Sequence, residues 1–109
     1  MELFRYFEDI CAIPHGSYNT KAISDYLVDF AKANNLRYIQ DELNNVILFA
    51  DATPGYEDHE PVILQGHMDM VCEKDDSSPI DMEKEGLDIT HDGNYIFAKG
   101  TTLGGDNGI

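Results

Sequence analysis

The chain is poor in basic side chains: seven Lys and Arg stand against 21 Asp and Glu, a formal net charge of −14 over 109 residues. Seven scattered cations cannot build the basic face that a phosphate backbone requires, which excludes nucleic acid as a partner. The same deficit excludes an anionic membrane surface. Long apolar runs are absent too, and none approaches the ~18 residues needed to cross a bilayer. The opening stretch, MELFRYFE, lacks the basic start and apolar continuation of a secretory signal. Cysteine is scarce. Cys11 and Cys72 could form one disulfide at most, and without an export signal they read as reduced thiols in a cytoplasmic protein. The Gly-x-Gly-x-x-Gly order of a dinucleotide site is missing, as is a P-loop lysine. Internal repeats and low-complexity tracts are absent.

What the chain does have suits one small folded unit. Its length lies within the commonest domain size of about 100–150 residues, and 42% of its residues are hydrophobic. Leu3, Phe7, Ile10 and Cys11 recur at helical spacing, with Glu2, Glu8 and Asp9 on the polar side. Pro14 and Gly16 end that helix. Ser17 or Asn19 can cap a second one, in which Ile23, Leu27, Phe30 and Ala31 repeat the spacing and Asn34 and Asn35 suit the C-terminal end. The period then changes. Residues 36–40 read as a short strand, Asn44 and Asn45 as a turn, and 46–50 and 61–65 as continuous apolar runs of strand length. Runs without alternation suggest strands buried on both faces. The expected fold is therefore α/β, a three-layer αβα arrangement with a mixed sheet. An acidic loop covers about 73–85, and Asp92-Gly93, between 87–90 and 95–98, signals a tight hairpin.

The charge is uneven. Residues 1–50 hold seven acids and four bases, whereas 51–109 hold fourteen acids and three bases. Solvated acidic loops would explain this, and so would carboxylates that hold a cation; only positions can decide. Two constellations bear on it. In Gln65-Gly66-His67-Met68-Asp69, the histidine and aspartate lie two apart, so extended backbone projects both to one side. Histidine is a natural zinc ligand, and a nearby carboxylate can fix its orientation. In Gly104-Gly105-Asp106-Asn107-Gly108, glycines around one aspartate allow its carboxylate to be aimed into a site, where two oxygens can bridge two cations. Each constellation alone has an ordinary explanation: a polar strand end for the first, an exposed turn for the second.

Together the two are recognisable. The stretches 66–74, GHMDMVCEK, and 101–109, TTLGGDNGI, resemble the metal motifs of aminoacyl-histidine dipeptidases (Xaa-His dipeptidases), cytosolic members of a di-zinc peptidase superfamily. The early Ile13-Pro-His-Gly-Ser17 followed by a helix is similar to that family's N-terminal pattern, so the resemblance runs over essentially the whole chain. It implies His67 as a ligand of one metal, Asp106 as the carboxylate bridging both, and Asp69 as a catalytic-site carboxylate behind the ligands that orients the site and tunes its electrostatics. The implied cofactor is a pair of Zn2+ ions, with Co2+ or Mn2+ able to fit similar N/O ligands. The implied reaction is hydrolysis of a dipeptide with a C-terminal histidine, such as β-alanyl-histidine, by water whose pKa two cations lower from ~15.7 toward ~7. The implied partners are a small peptide substrate and, for the complete enzyme, a second subunit.

The family's later ligands, its Glu pair and its lid or dimerisation domain have no counterpart in this sequence. Residues 1–109 are thus expected to be the N-terminal portion of a metallopeptidase catalytic domain, inactive alone. The alternatives are a related metallopeptidase (tripeptidase or amino-acid deacetylase) and a non-catalytic acidic module that binds a cation or a partner. Of the remaining candidates, Cys72 reads as packed, His91 as a surface turn residue, and His15 as a loop residue with some prospect of reaching the site. His59 sits in a solvated acidic loop, and helix capping accounts for Ser17.

Overall fold

The structure is a computed structural model that describes residues 2–104 and Ile109. Two helices lead the chain. Helix α1, Glu2–Cys11, has an acid in its first turn, where the helix dipole favours negative charge. It buries Ile10 and Cys11 at its C-terminal end. Helix α2, Lys21–Ala33, buries Ile23, Ser24, Val28 and Ala31. Its N-cap is Thr20, with no side-chain capping bond, so neither Ser17 nor Asn19 takes the capping role that the sequence suggested. At the other end Asn34 is the C-cap, and Asn35 adopts φ 55°, a left-handed conformation that asparagine tolerates better than most residues. The helices meet through Tyr6 and Phe30, edge to face at 5.5 Å, and Tyr26 donates to Asp9 at 3.3 Å.

Strands β1 (Arg37–Gln40) and β2 (Val46–Phe49) form an antiparallel hairpin with Tyr38 opposite Leu48 and Ile39 opposite Ile47. Gln40 ties it to α2 by donating to Ser24 Oγ at 2.7 Å and Asp25 Oδ1 at 2.9 Å. A second antiparallel hairpin, β3 (Ile89–His91) with β4 (Ile96–Ala98), turns through Gly93 at φ 99°. The segment leading into it crosses the end of α1, where Leu87 donates to the Cys11 carbonyl at 2.8 Å.

The α/β class holds. The expected mixed sheet, however, does not assemble among the described residues: both sheets are two-stranded and antiparallel. Among the described residues, parallel pairing is confined to an isolated bridge between Gly16 and Met70. The run at 61–65 forms no strand. Val62, Ile63 and Leu64 are 83, 87 and 93% exposed. A strand needs edges to pair with, and here each hairpin strand has only its own hairpin partner.

Candidate functional site

The site is built where the loop after α1 meets the stretch that follows the exposed run. Met70 is its pivot, 3% exposed. It donates its N–H to the His15 carbonyl at 2.9 Å and accepts from the Ser17 N–H at 3.3 Å, the two bonds that flank the Gly16–Met70 bridge. His15, 2% exposed, lies beneath, its Nδ1 2.6 Å from the Ile13 carbonyl oxygen. It is a loop residue, as expected, but a buried one that forms part of the support. Gly16 makes the approach close: a β-carbon there would lie 2.7 Å from Cys72 Sγ, and the thiol would have to turn aside to admit it. Cys72 is exposed rather than packed, and partial desolvation, then Glu73 and Glu83, push its thiol up from its ordinary pKa, which makes it a poor nucleophile.

Above this support the His-x-Asp pair is formed as the spacing suggested. His67 Nδ1 lies 3.0 Å from Asp69 Oδ1. The other carboxylate oxygen, Oδ2, accepts from Ser17 Oγ at 2.7 Å. These bonds, Ser17 first and His67 second, hold the Asp69 carboxyl below its ordinary pKa, so it is ionised at neutral pH. An ionised carboxylate can only accept, so Nδ1 carries the proton of this bond, and in a neutral ring Nε2 then holds the lone pair. That tautomer is the one in which a carboxylate-oriented histidine binds a metal. The His67 side chain is 67% exposed, so solvent ions reach it.

Ser17 is the member of this cluster that sequence reasoning missed. It lies 52 positions before Asp69, and a serine just ahead of a helix reads locally as a cap. The Gly16–Met70 bridge brings the two segments together.

The two motifs converge as well. Lys74 and Thr101 form an antiparallel bridge, Thr102 N–H donates to the Glu73 carbonyl at 2.9 Å, and Thr102 Oγ1 donates to the Val71 carbonyl at 2.6 Å. At the end of that pairing, a β-carbon on Gly104 would stand 3.0 Å from Met70 Cβ. Asp106, the expected bridging carboxylate, lies outside the described residues, as do Gly105, Asn107 and Gly108. Among the described residues no three His, Cys, Asp or Glu side chains gather to hold a metal ion. His59 instead stacks on Tyr56 at 5.0 Å, and His91 is exposed on β3. The donor set described here thus fits one histidine ligand with its orienting carboxylate and falls short of a closed site.

The chain as a whole, site included, is similar to known dipeptidases in sequence and in fold. The chain is 39% identical over 107 residues, 98% of its length, to part of the cytosol non-specific dipeptidase of Escherichia coli (strain K12). It is similar in fold, with a TM-score of 0.88 and 39% identity over 97% of the chain, to the crystal structure of aminoacylhistidine dipeptidase from Vibrio alginolyticus. The resemblance read from the motifs at 66–74 and 101–109 therefore extends over the chain in both sequence and structure. The chain spans 22% of the length of each of these relatives. No protein-family model matches it.

Proposed function

We propose that this chain carries part of the active site of a metal-dependent dipeptidase, as the N-terminal portion, residues 1–109, of its catalytic domain. The carrying observation is the His67–Asp69 contact at 3.0 Å, with the carboxylate held ionised by Ser17. His67 would hold a divalent cation through Nε2, Asp69 would fix the ring, and Asp106 would supply a bridging carboxylate. A cation held there, zinc by resemblance and one of two, would supply Lewis acidity toward the scissile carbonyl and would lower the pKa of the attacking water. Asp69 keeps the imidazole in its ligating tautomer and places a negative charge behind it, which raises its basicity toward the metal. The substrate class is a dipeptide with C-terminal histidine, and the setting is cytoplasmic. The substrate reading is supported by the relative named as an aminoacylhistidine dipeptidase, and the setting by the one named as a cytosol non-specific dipeptidase, whose name carries no requirement for histidine.

Two measurements test the proposal. The purified 109-residue chain with zinc should hydrolyse β-alanyl-histidine no faster than background, because the described ligands cannot close a site. Chelator-sensitive turnover by this chain would overturn the view that further ligands are needed. In zinc titrations, His67→Ala should weaken binding roughly tenfold or more. Equal affinity in the two proteins would remove His67 from the metal.

A further inference from the structure

We infer that Ser17 is a positioning residue: its hydroxyl aims the Asp69 carboxylate at His67 Nδ1 and so selects the tautomer in which His67 presents Nε2. The inference rests on the reading of His67 and Asp69 given above. It goes beyond that reading by assigning a role to a residue on a different segment of the chain.

The geometry carries it. Asp69 has two carboxylate oxygens, and the described structure gives each a separate partner: Oδ1 faces His67 Nδ1 at 3.0 Å and Oδ2 faces Ser17 Oγ at 2.7 Å. A carboxylate held at one oxygen can rotate about its Cβ–Cγ bond; held at both, it cannot. The Asp69 side chain is 38% exposed, so packing alone does not immobilise it. Ser17, by contrast, is fixed from its backbone. Its N–H donates to the Met70 carbonyl at 3.3 Å, and the adjoining Gly16 pairs with Met70. The next residue, Tyr18, sits at φ 65°, a left-handed conformation costly for a non-glycine residue, and its side chain is fully exposed. Nothing about that side chain rewards the conformation. The strain is instead what lets the chain pass from the Met70 crossing, with Ser17 turned toward Asp69, into α2.

The test is the 15N NMR spectrum of the histidine side chains in the full chain, without metal, at a pH where imidazole is neutral. His67→Gln assigns the signal. The unaltered protein should show His67 predominantly as the Nδ1–H tautomer. Ser17→Ala should lower the ratio of Nδ1–H to Nε2–H roughly threefold, the scale of one hydrogen bond. Ser17→Cys, close in shape but a weak donor, should do the same, whereas Ser17→Thr should restore the ratio. Thermal midpoints of all variants should agree within a few degrees, which separates positioning from loss of fold.

If Asp69→Asn lowers the ratio and Ser17→Ala leaves it unchanged, the role of Ser17 is overturned while the His67–Asp69 reading stands. If neither substitution moves the ratio, both fall. If Ser17→Thr fails to rescue although its midpoint is unchanged, the hydroxyl is not the acting group and the inference fails.

Discussion

Single positions on the Met70 crossing set how closely two distant segments approach. Gly16 is there because a β-carbon would meet Cys72 Sγ at 2.7 Å. Gly86 is held more tightly still, since its β-carbon would lie 2.3 Å from the Ala12 carbonyl oxygen, a backbone atom that cannot swing aside. Gly16→Ala should therefore destabilise the chain by about 1–2 kcal/mol, the usual cost of overpacking. The cause can be isolated in a double-mutant cycle followed by urea denaturation. Adding Cys72→Ala should recover much of the loss, a coupling of about 1 kcal/mol. Strict additivity would show that the sulfur is not what the new methyl meets.

The same crossing explains why residue-level expectations succeeded unevenly. His67 and Asp69 were legible because their relation is local, two positions apart on one backbone. The roles of His15 and Ser17 were not legible, because each is defined by a partner more than 50 positions away, Met70 for one and Asp69 for the other.

Both hairpins are organised by an aspartate at the turn. Asp41 Oδ1 accepts the N–H groups of Leu43 at 2.9 Å and Asn45 at 2.8 Å, while Oδ2 accepts Asn45 Nδ2 at 2.8 Å. Asp92 Oδ1 accepts those of Asn94 at 2.9 Å and Tyr95 at 3.0 Å. These bonds favour the charged form and hold both carboxyls below their ordinary value of 3.8; the Asn45 side chain contributes most for Asp41, and the Asn94 N–H for Asp92. A pKa lowered by folding means that the stabilisation is complete above pH 3.8 and lost as pH falls through the lower folded value. Asp41→Ala should accordingly lower the urea midpoint at pH 5, and its deficit against the unaltered chain should shrink as the pH is taken toward 2. A deficit that stays constant over that range would deny the ionised carboxylate its part. The comparison between variant and parent cancels the general effect of protonating the other acids. At this scale turn chemistry made the hairpins legible, because an Asx turn depends on neighbours in sequence.

Across the whole molecule, surface dominates. The radius of gyration is 16.0 Å, against about 13 Å for a compact chain of this length. The accessible surface is 8335 Å2, against about 6,100 Å2 for a folded monomer of this mass. Apolar side chains contribute to that surface: Val62, Ile63 and Leu64 are almost fully exposed, and Leu43, Ile39 and Ile47 are more than half exposed. Adjacent exposed aliphatic residues with unpaired strand potential invite self-association. Ile63→Lys should therefore reduce dye-detected apolar surface and concentration-dependent light scattering, while moving the thermal midpoint by no more than a degree or two. A large fall in that midpoint would show that Ile63 is packed in solution.

The sequence by itself determined the two helices, both hairpins, the strongly acidic surface and the pairing of His67 with Asp69. Each depends on period, turn chemistry or spacing within a few residues, where the backbone leaves little choice. It also contained the resemblance to dipeptidases, since the motifs at 66–74 and 101–109 are contiguous strings. Only the tertiary structure decided that Ser17 reaches Asp69, that His15 is buried beneath Met70, and that the two motifs lie side by side through the Lys74–Thr101 bridge. It also decided that the apolar run at 61–65 stands in solvent. A run of Val, Ile and Leu specifies that burial would be favourable. Whether anything lies against it depends on which strand edges the rest of the fold provides, and hydrophobicity carries no information about that.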